Sequence, residues 1–426
     1  MRVLWLCNVV APQFRTSLGL PAGVGGGWIE ETLELLIEKG DCEIAYCAPM
    51  KGADEITRAE YRGVKFFGFS KQEWQPEKYD ISVEKVFRRI LDEFQPDIVH
   101  IFGTEFPHTL SMVKTFGKPG KTVIHLQGIM TYISQCYGEG IPFRTLHSYT
   151  FRDFVRHDNI SCNNIFQKKI KFEKRAAYER QALMAVNHVM GRTEWDKACV
   201  KMINPDIKYH YCGENLRAVF AECDKWQLKN CERHTIFMSQ GDYPIKGLHI
   251  ALEALTYIKR QIPDVKLYVA GENITNVQTF QQKLRMNNYQ KYIMQLIDRW
   301  NLHNNIEFVG YLDARQMCDM YKRCHVFIMP SVIENSPNSL CEALQLGTPV
   351  VASFVGGIPE FVDHGENGFL YQHNAPYMLA HYVTEIFDDD YLAESLSANA
   401  QTGNVKNDKN NIQALLKIYN DMMRIV

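Results

Sequence analysis

The sequence predicts an α/β protein with two doubly wound, Rossmann-like domains. Its length of 426 residues exceeds what one compact core holds and fits two domains of roughly 200 residues each. Apolar residues make up 46% of the chain, which is enough to fill two cores. Short apolar runs alternate with amphipathic stretches almost from end to end, and this alternation favours parallel sheets flanked by helices.

In the first half of the chain, apolar runs of strand length are separated by stretches of helical periodicity. We predict helices over 29–38 and 83–94, and strands over 3–7, 43–47, 64–69, 97–102 and 122–126. Strands connected through helices pair in parallel, so these elements predict the first doubly wound sheet.

The pattern weakens through a polar, charged stretch at 213–233 and then restarts. We therefore predict a linker there, a first domain over 1–213, a second over 214–400, and a C-terminal segment over 401–426. The helix expected at 411–423 would pack back on the first domain. The second set of predicted elements comprises strands 235–239, 266–270, 306–311 and 326–330 and helices 248–260 and 314–322.

Composition excludes several classes of protein. The net charge is -2, so no global basic character points to nucleic acid. The 12 cysteines fall singly, without Cys-x-x-Cys pairs or zinc-ligand spacing, and several lie in apolar runs, which is typical of buried thiols in a reducing compartment. The N-terminal apolar run is too short for a signal peptide, and no segment approaches the roughly 20 apolar residues of a membrane span. We expect a cytoplasmic protein.

The segment 329–351 is the most informative in the chain. A predicted strand ends near Pro330, and a helix follows with Ser336 as the expected N-cap and Pro337 at the first helical position. Gly347 is the expected C-terminal stop. The free amide groups of residues 337–340 at the start of this helix suit a diphosphate.

Two glutamates lie in this segment, Glu334 in the loop and Glu342 on the helix. A carboxylate on such a helix can accept hydrogen bonds from a ribose diol, and Glu334 would reach the sugar that follows the diphosphate. The alternative is that both are surface charges, although Glu342 lies among apolar neighbours. A hydrolase acid/base pair is a further alternative, but it needs carboxylates facing across a sugar ring.

Two other loops carry features of a phosphate site. Lys246-Gly247 opens a predicted helix after strand 235–239, and Lys246 could place a positive charge on a departing diphosphate. A glycine-rich turn, Gly23-Val24-Gly25-Gly26-Gly27, follows the first predicted strand and would let the backbone approach a ligand closely. This turn is neither the dinucleotide fingerprint nor a lysine-containing phosphate loop.

Taken together, these motifs resemble those of the family 4 retaining glycosyltransferases of the GT-B fold, over nearly the whole chain. The resemblance depends on Gly25–Gly27, Pro96–His100, Pro244–Leu248, the two glutamates separated by seven residues, Gly347–Ser353 and Gly356–Glu360. The glutamate motif with its Gly-x-Pro-Val-Val tail is the specific part, whereas the glycine-rich turn is not.

The resemblance implies that the second domain binds the donor, a UDP- or GDP-sugar, and that the first binds the acceptor. Glu342 would bind the donor ribose, Glu334 the sugar and Lys246 the diphosphate. It further implies transfer with retention, with neither a metal nor another cofactor. Backbone amides in 335–339, in 25–27 and in the loop before Lys246 would also bind the donor. The residues implied in this way are Gly26, Gly27, Gly241, Asn335, Ser336, Asn338 and Ser339.

The sequence departs from the family pattern in two places. Gln240-Gly241 stands where the family commonly has Gly-Arg, so an arginine that helps to bind the diphosphate is missing. Gln127-Gly128 stands where the family tends to have His-Gly, with His125 two residues earlier. We assign Gln127 and Gly128 to the acceptor and His125 to catalysis, with a buried strand histidine as the alternative for His125.

The segment 129–182 is the unusual part of the predicted acceptor domain. Residues 144–180 carry nine Lys or Arg against four Asp or Glu, interspersed with aromatic residues. Such a mixture suits an anionic membrane surface or a lipid-linked acceptor; a solvated helix face with its aromatics in the core is the alternative. The aromatic residues are Tyr132, Tyr137, Phe143, Tyr149, Phe151, Phe154, Phe166 and Phe172.

We therefore expect a glycosyltransferase that extends a saccharide or lipid-linked glycan, in cell-surface polysaccharide synthesis, with possible peripheral contact at the cytoplasmic membrane face. Alternatives of the same architecture are a nucleotide-sugar epimerase, which would give product without an acceptor, and a sugar phosphorylase, which would need a lysine carrying pyridoxal phosphate. A non-catalytic nucleotide- or sugar-binding subunit is favoured only by the missing arginine.

Overall fold

The computed structural model describes residues 1–21, 27–51, 56–70, 75–155, 164–402 and 411–424. These residues form two compact α/β units. The first unit draws on Met1–Gln135, Lys171–Arg217 and Lys406–Val426, and the second on Cys136–Ile170 and Ala218–Val405.

The first unit is built on an eight-stranded sheet with the order β3-β4-β2-β1-β5-β6-β7-β8. All neighbouring strands are parallel except β3 and β4. Because β2 lies on one side of β1 and β5 on the other, the strand order reverses at β1. The strands are β1 (Arg2–Leu6), β2 (Glu43–Met50), β3 (Thr57–Tyr61), β4 (Val64–Ser70), β5 (Ile98–Phe102), β6 (Thr122–His125), β7 (His188–Gly191) and β8 (Lys208–Tyr211).

The central strands of this sheet are buried along most of their length, because helices cover both of its faces. In β5, for example, every residue is buried, as expected for a parallel strand that is covered twice. The helices of this unit are α1 (Pro12–Arg15), α2 (Gly27–Lys39), α3 (Ser82–Phe94), α4 (His108–Phe116), α5 (Met130–Cys136), most of α8 (Ile165–Met184), α9 (Glu194–Ile203) and the C-terminal α18 (Asn411–Arg424).

The C-terminal helix α18 packs into the core of the first unit. Its fully buried Tyr419 accepts a hydrogen bond from Trp5 Nε1 on β1 at 3.0 Å, and its hydroxyl lies 2.5 Å from Nδ1 of His100 on β5. The side chain of Lys121 donates to the Met422 carbonyl at 2.7 Å. The last helix is therefore fixed by polar contacts as well as by its apolar face.

The second unit is built on a six-stranded parallel sheet with the order β11-β10-β9-β12-β13-β14, which reverses at β9. Its strands are β9 (Thr235–Met238), β10 (Lys266–Ala270), β11 (Ile306–Gly310), β12 (Val326–Met329), β13 (Val350–Ser353) and β14 (Phe369–Tyr371). Its helices are α6 (Phe143–Leu146), α7 (Phe151–Val155), α10 (Val219–Glu222), α11 (Leu248–Lys259), α12 (Phe280–Arg285), α13 (Asn288–Arg299), α14 (Ala314–Arg323), α15 (Asn338–Leu346), α16 (Pro376–Asp388) and α17 (Asp390–Thr402).

Each of the two units contains a sheet of the kind that the sequence predicts, and the predicted α/β fold class is confirmed. The predicted N-cap of α15 is wrong by one residue. The cap is Pro337, with φ -75° and ψ 115°, and it makes no side-chain cap hydrogen bond. Proline already holds an extended backbone there, so the helix begins at Asn338. Gly347 ends it with φ 76°, as predicted.

Two segments differ from the prediction that 1–213 forms the first domain and that 213–233 is a linker. Residues 136–170 contact the second unit, where Asn288 donates to the Thr145 carbonyl at 3.0 Å. The expected linker at 213–233 includes α10 and a buried Trp226, whose Nε1 donates to the Cys324 carbonyl at 2.8 Å. The predicted domain boundaries at 213 and 400 stay predictions.

Candidate functional site

The carboxyl ends of β9 and β12 carry the side chains that the sequence analysis selected in the second unit. The sheet order reverses at β9, and in open α/β sheets such a switch point is where ligands bind. The loop after β9 leads to Lys246 and the loop after β12 leads to Glu334. The two loops are joined by a hydrogen bond from the Val332 amide to the Ile245 carbonyl at 2.9 Å.

Lys246 and Glu334 form an ion pair, with 2.6 Å between Nζ and Oε1. Their side chains are 20% and 13% exposed, and Ser331 Oγ donates to the same carboxylate oxygen at 2.9 Å. Burial lowers the pKa of Lys246, but the charge of Glu334 and the hydrogen bonds with Glu334 and Tyr243 outweigh it, so that this pKa is raised overall. Lys246 is therefore a fixed cation at the switch point.

Glycines allow the surrounding loops to approach this pair. Gly247 has φ +74°, and a Cβ there would lie 1.9 Å from the Pro330 carbonyl oxygen. Gly356 has φ +52°, and a Cβ there would lie 1.8 Å from the Glu334 carbonyl oxygen. Gly357 donates its amide to that same oxygen at 3.1 Å. The backbone of Glu334 is thus enclosed by positions that accept no side chain.

Glu342 lies on α15 and is only 4% exposed, which contradicts the surface-charge alternative for this residue. The hydroxyl of Tyr321 lies 3.4 Å from Glu342 Oε2 and donates to the Ser339 carbonyl at 2.9 Å. A buried carboxylate is costly unless it receives hydrogen bonds. Its place on the helix that follows Glu334 brings both glutamates to the same strand end.

The amide groups expected to bind a diphosphate are fewer than predicted. Pro337 has no N–H, and the Leu340 amide donates to the Pro337 carbonyl at 3.1 Å. Asn338 and Ser339 form the first turn of α15, and Asn335 and Ser336 precede it in the loop.

The glycines predicted to bind the donor lie in different parts of the chain. Gly241 is buried after β9, where a Cβ would lie 2.8 Å from Val269 Cγ1, so its small size serves packing. Gly27 begins α2 in the first unit. Gly26 lies outside the described residues.

His125 ends β6 in the first unit and is 4% exposed. Neither ring nitrogen has a hydrogen-bond partner of ordinary geometry in the described part of the chain. Burial lowers its pKa to about 4, although the charge of Glu214 opposes this shift. These properties favour the buried strand histidine over the catalytic assignment.

Gln127 and Gly128 contact carboxylates that sequence reasoning missed. Gln127 Nε2 donates to Glu214 at 2.5 Å, and Glu214 forms a buried ion pair with Arg192 at 2.6 Å. The Gly128 amide donates to Glu105 at 2.8 Å. No motif marks Glu105, Arg192 or Glu214, and their partners are distant in sequence.

A family model matches the part of the chain that carries Lys246, Glu334 and Glu342. The family model described as glycosyl transferases group 1 matches residues 221–403, which is less than half of the chain. WcaL of Salmonella typhimurium, which is named for colanic acid biosynthesis as a glycosyltransferase, is 30% identical over 164 residues. This match covers 37% of this chain and 37% of WcaL, so the chain spans well under half of that relative.

Two solved structures resemble the whole chain. Sucrose-phosphate synthase from Thermosynechococcus elongatus has a TM-score of 0.64 at 15% identity and covers 99% of this chain and 97% of its own. HepE of Anabaena, in complex with UDP and glucose, has a TM-score of 0.64 at 15% identity and covers 99% of both chains. At this identity the likeness shows the fold, and the chain has the GT-B fold of glycosyltransferases.

Substitution of Gly356 tests whether the backbone around Glu334 is as tightly enclosed as described. We expect Gly356→Ala to lower the free energy of unfolding by more than about 3 kcal/mol, because the methyl group would overlap the Glu334 carbonyl. Gly365→Ala is the matched control, since Gly365 has φ +81° but no atom within 4 Å of a Cβ, and about 1 kcal/mol is expected there. Urea unfolding measures both losses, and equal losses would contradict the described enclosure.

The low pKa of His125 predicts acid sensitivity. Between about pH 6.5 and pH 4 the unfolded chain binds a proton that folded His125 does not, so the free energy of unfolding falls as the pH drops through this window. The full contribution is about 3 kcal/mol. We expect His125→Leu to reduce the loss of stability between pH 7 and pH 4, measured by urea unfolding at each pH. An identical pH dependence in both proteins would show that His125 is not buried in its neutral form.

Proposed function

We propose that this protein is a retaining glycosyltransferase that moves a sugar from a nucleotide-diphosphate sugar to a saccharide or lipid-linked glycan. The observation that carries the proposal is the fixed cation Lys246 beside Glu334 at the switch point of the second unit, with buried Glu342 on the helix that follows. This arrangement offers a cation for a diphosphate and two carboxylates for hydroxyl groups.

In this proposal each group of the second unit meets one part of the donor. Lys246 lies against the diphosphate, and the amides near the start of α15 add donors for its oxygens. Glu342 accepts hydrogen bonds from the ribose hydroxyls. Glu334 accepts them from the sugar, and in the ligand-free protein it holds Lys246 in position.

The reaction exchanges one bond to the anomeric carbon for another. The bond from this carbon to the diphosphate oxygen breaks, and the acceptor hydroxyl oxygen bonds to the same face of the sugar, which retains the configuration. The hydroxyl proton passes to the departing phosphate oxygen. Lys246 stabilises the negative charge that develops on that oxygen, as preorganised cations do for leaving groups.

The comparisons support a nucleotide-sugar donor and a role in surface polysaccharide synthesis. HepE is similar in fold and was crystallised with UDP and with UDP-glucose, and WcaL is named for colanic acid biosynthesis. We propose a UDP- or GDP-sugar as the donor, with no metal or other cofactor, because Lys246 supplies the positive charge. Full transfer activity in the presence of EDTA is the corresponding expectation.

We also propose that the protein visits an anionic membrane surface from the cytoplasm. No helix in the described ranges is long and apolar enough to cross a bilayer. Exposed aromatic side chains instead lie on segments of the second unit that pack together, where Arg152 donates to the Arg285 carbonyl at 3.2 Å. They are Phe143, Tyr149, Phe151 and Phe280, exposed at 74%, 66%, 55% and 75%.

Basic residues accompany these aromatic side chains. Arg144, Lys283 and Arg285 are all exposed and lie on α6 and α12. Aromatic rings enter the headgroup region while cations meet anionic lipid, and the two effects reinforce each other. By contrast, Tyr137 is buried, so only part of the aromatic set predicted over 129–182 faces solvent.

Nucleotide binding tests the donor site. A ligand at 100 times its dissociation constant stabilises the folded state by about 2.7 kcal/mol, which raises the melting temperature by roughly 5–10 °C for a unit of this size. We expect one of UDP, GDP and ADP to produce such a shift in the wild type and none in Glu342→Ala, each compared with its own ligand-free state. Glu394→Ala, an exposed glutamate on α17, should respond like the wild type.

Several outcomes would count against the donor site. If no nucleotide shifts the wild type, or if Glu342→Ala shifts equally, the donor assignment fails. If nucleotide-sugar is consumed without transfer and an epimer accumulates, the reaction is epimerisation. Binding without any turnover would favour a non-catalytic subunit.

Flotation with lipid vesicles tests the membrane contact. We expect the wild type to float with vesicles of equal parts phosphatidylglycerol and phosphatidylcholine, and not with phosphatidylcholine alone. The double variant Phe143→Ser with Phe280→Ser should lose most of this binding, whereas Tyr391→Ser, which removes an exposed tyrosine elsewhere in the second unit, should keep it. Equal flotation of all three proteins would place the contact elsewhere, and no flotation of the wild type would refute it.

A further inference from the structure

The switch point of the first unit carries a carboxylate to which the proposed function gives no role. The sheet order reverses at β1, which lies between β2 and β5, and ligands of open α/β sheets bind at the carboxyl ends of such strands. Asn8 follows β1 and Glu105 follows β5. This is the position in the first unit that corresponds to Lys246 and Glu334 in the second.

The Glu105 carboxylate is fixed by neutral donors. Asn8 Nδ2 donates to Oε2 at 2.7 Å, and the Gly128 amide donates to Oε1 at 2.8 Å. Asn8 is held in turn, with its Oδ1 2.9 Å from His108 Nε2. The guanidinium of Arg175 donates to the backbone carbonyl of Glu105. Burial raises the pKa of the Glu105 carboxyl, and the charge of Arg175 opposes this shift.

Glycine at position 103 makes room for this carboxylate. Gly103 has φ +91°, and a Cβ there would lie 2.0 Å from Glu105 Oε2 and 2.8 Å from Asn8 Nδ2. Any side chain at this position would displace both groups. The backbone is therefore shaped around the carboxylate and its amide partner.

A second carboxylate of the same unit shows what a purely structural role looks like. Glu179 is fully buried and accepts from the amides of Met130 and Thr131, both at 2.8 Å, and from the hydroxyls of Thr131 and Thr104. Four donors occupy its two oxygens. Glu105 is only half-buried and accepts from Asn8, from the Gly128 amide and from its own amide. These are fewer donors than Glu179 has, whereas a carboxylate offers about four acceptor sites.

We infer that Glu105 accepts hydrogen bonds from hydroxyl groups of the acceptor sugar. A half-buried carboxylate with acceptor capacity to spare, held by amides at the carboxyl ends of two central strands, suits a neutral polyol with two neighbouring hydroxyls. Glu105 thus determines acceptor specificity, and Gln127 and Gly128 lie beside it on the next strand end. This inference rests on the proposed function, because it deepens the assignment of the first unit to the acceptor.

Saturation-transfer NMR tests the inference with simple sugars as probes. The probes are the methyl α- and β-glycosides of glucose, galactose, mannose and N-acetylglucosamine. Each is added alone and, where a nucleotide shifts the melting temperature, also together with that nucleotide. We expect at least one glycoside to receive saturation from the wild type, and Glu105→Gln to reduce that signal at least five-fold. Glu179→Gln is the control: it should lower the melting temperature, yet retain the glycoside signal below its own transition.

The outcomes separate this inference from the proposed function. An undiminished glycoside signal in Glu105→Gln would overturn the role of Glu105, as would a wild type that binds a nucleotide but none of the glycosides. A glycoside signal lost in Glu105→Gln, without any nucleotide shift in the wild type, would support the sugar site while the transferase proposal fails. If Glu105→Gln does not fold, Glu105→Asp keeps the charge but withdraws the carboxylate, and should lose the signal equally.

Discussion

The ion pair between Lys246 and Glu334 is the interaction on which the second unit's site depends. It joins the loops that leave β9 and β12, the two strands at which the sheet order reverses. A buried ion pair adds little to stability, because desolvation offsets the attraction. The ion pair lies beside two glycines that accept no side chain, and this arrangement is better explained by a need to hold a cation in place than by a gain in stability. The pair orders the loops before any ligand arrives, so that less ordering remains to be done on binding.

The two units use the same structural device with opposite chemistry. In each, a polar side chain after the first central strand meets a carboxylate after the neighbouring strand, and a glycine with positive φ lets the surrounding chain pack closely there. In the second unit the partner of the carboxylate is a cation, which suits an anionic ligand. In the first unit the partner is the neutral amide of Asn8, and the remaining acceptor sites of the carboxyl suit hydroxyl donors. The electrostatics thus distinguish a phosphate-bearing ligand from a neutral sugar.

The sequence predicted most of the strands because central parallel strands are buried on both faces and appear as unbroken apolar runs. It missed β3, β7 and β8 of the first sheet and β13 and β14 of the second. Of these, β3 and β8 are the two edges of the first sheet and carry polar residues such as Arg58 and Lys208, whereas β7, β13 and β14 are only three or four residues long. The glutamate segment was predictable because its residues are close in sequence. Glu105 was not, since its partner Asn8 is 97 positions away. The packing of residues 136–170 on the second unit depends on equally distant contacts and leaves no periodic signal.

The missing arginine changes the charge balance of the proposed donor site. Lys246 and the Glu334 bound to it together carry no net charge, and Glu342 adds a further carboxyl group, whereas a diphosphate brings about two negative charges. Binding then requires the phosphate to share Lys246 with Glu334, and the remaining charge falls to backbone amides and the start of α15, each worth about 1 kcal/mol or less. When Glu334 releases Lys246 to the phosphate, it loses its ion-pair partner. Hydroxyl groups of the donor's sugar must then replace that partner by donating hydrogen bonds to Glu334. Affinity in such a site comes from the whole donor rather than from its phosphates alone.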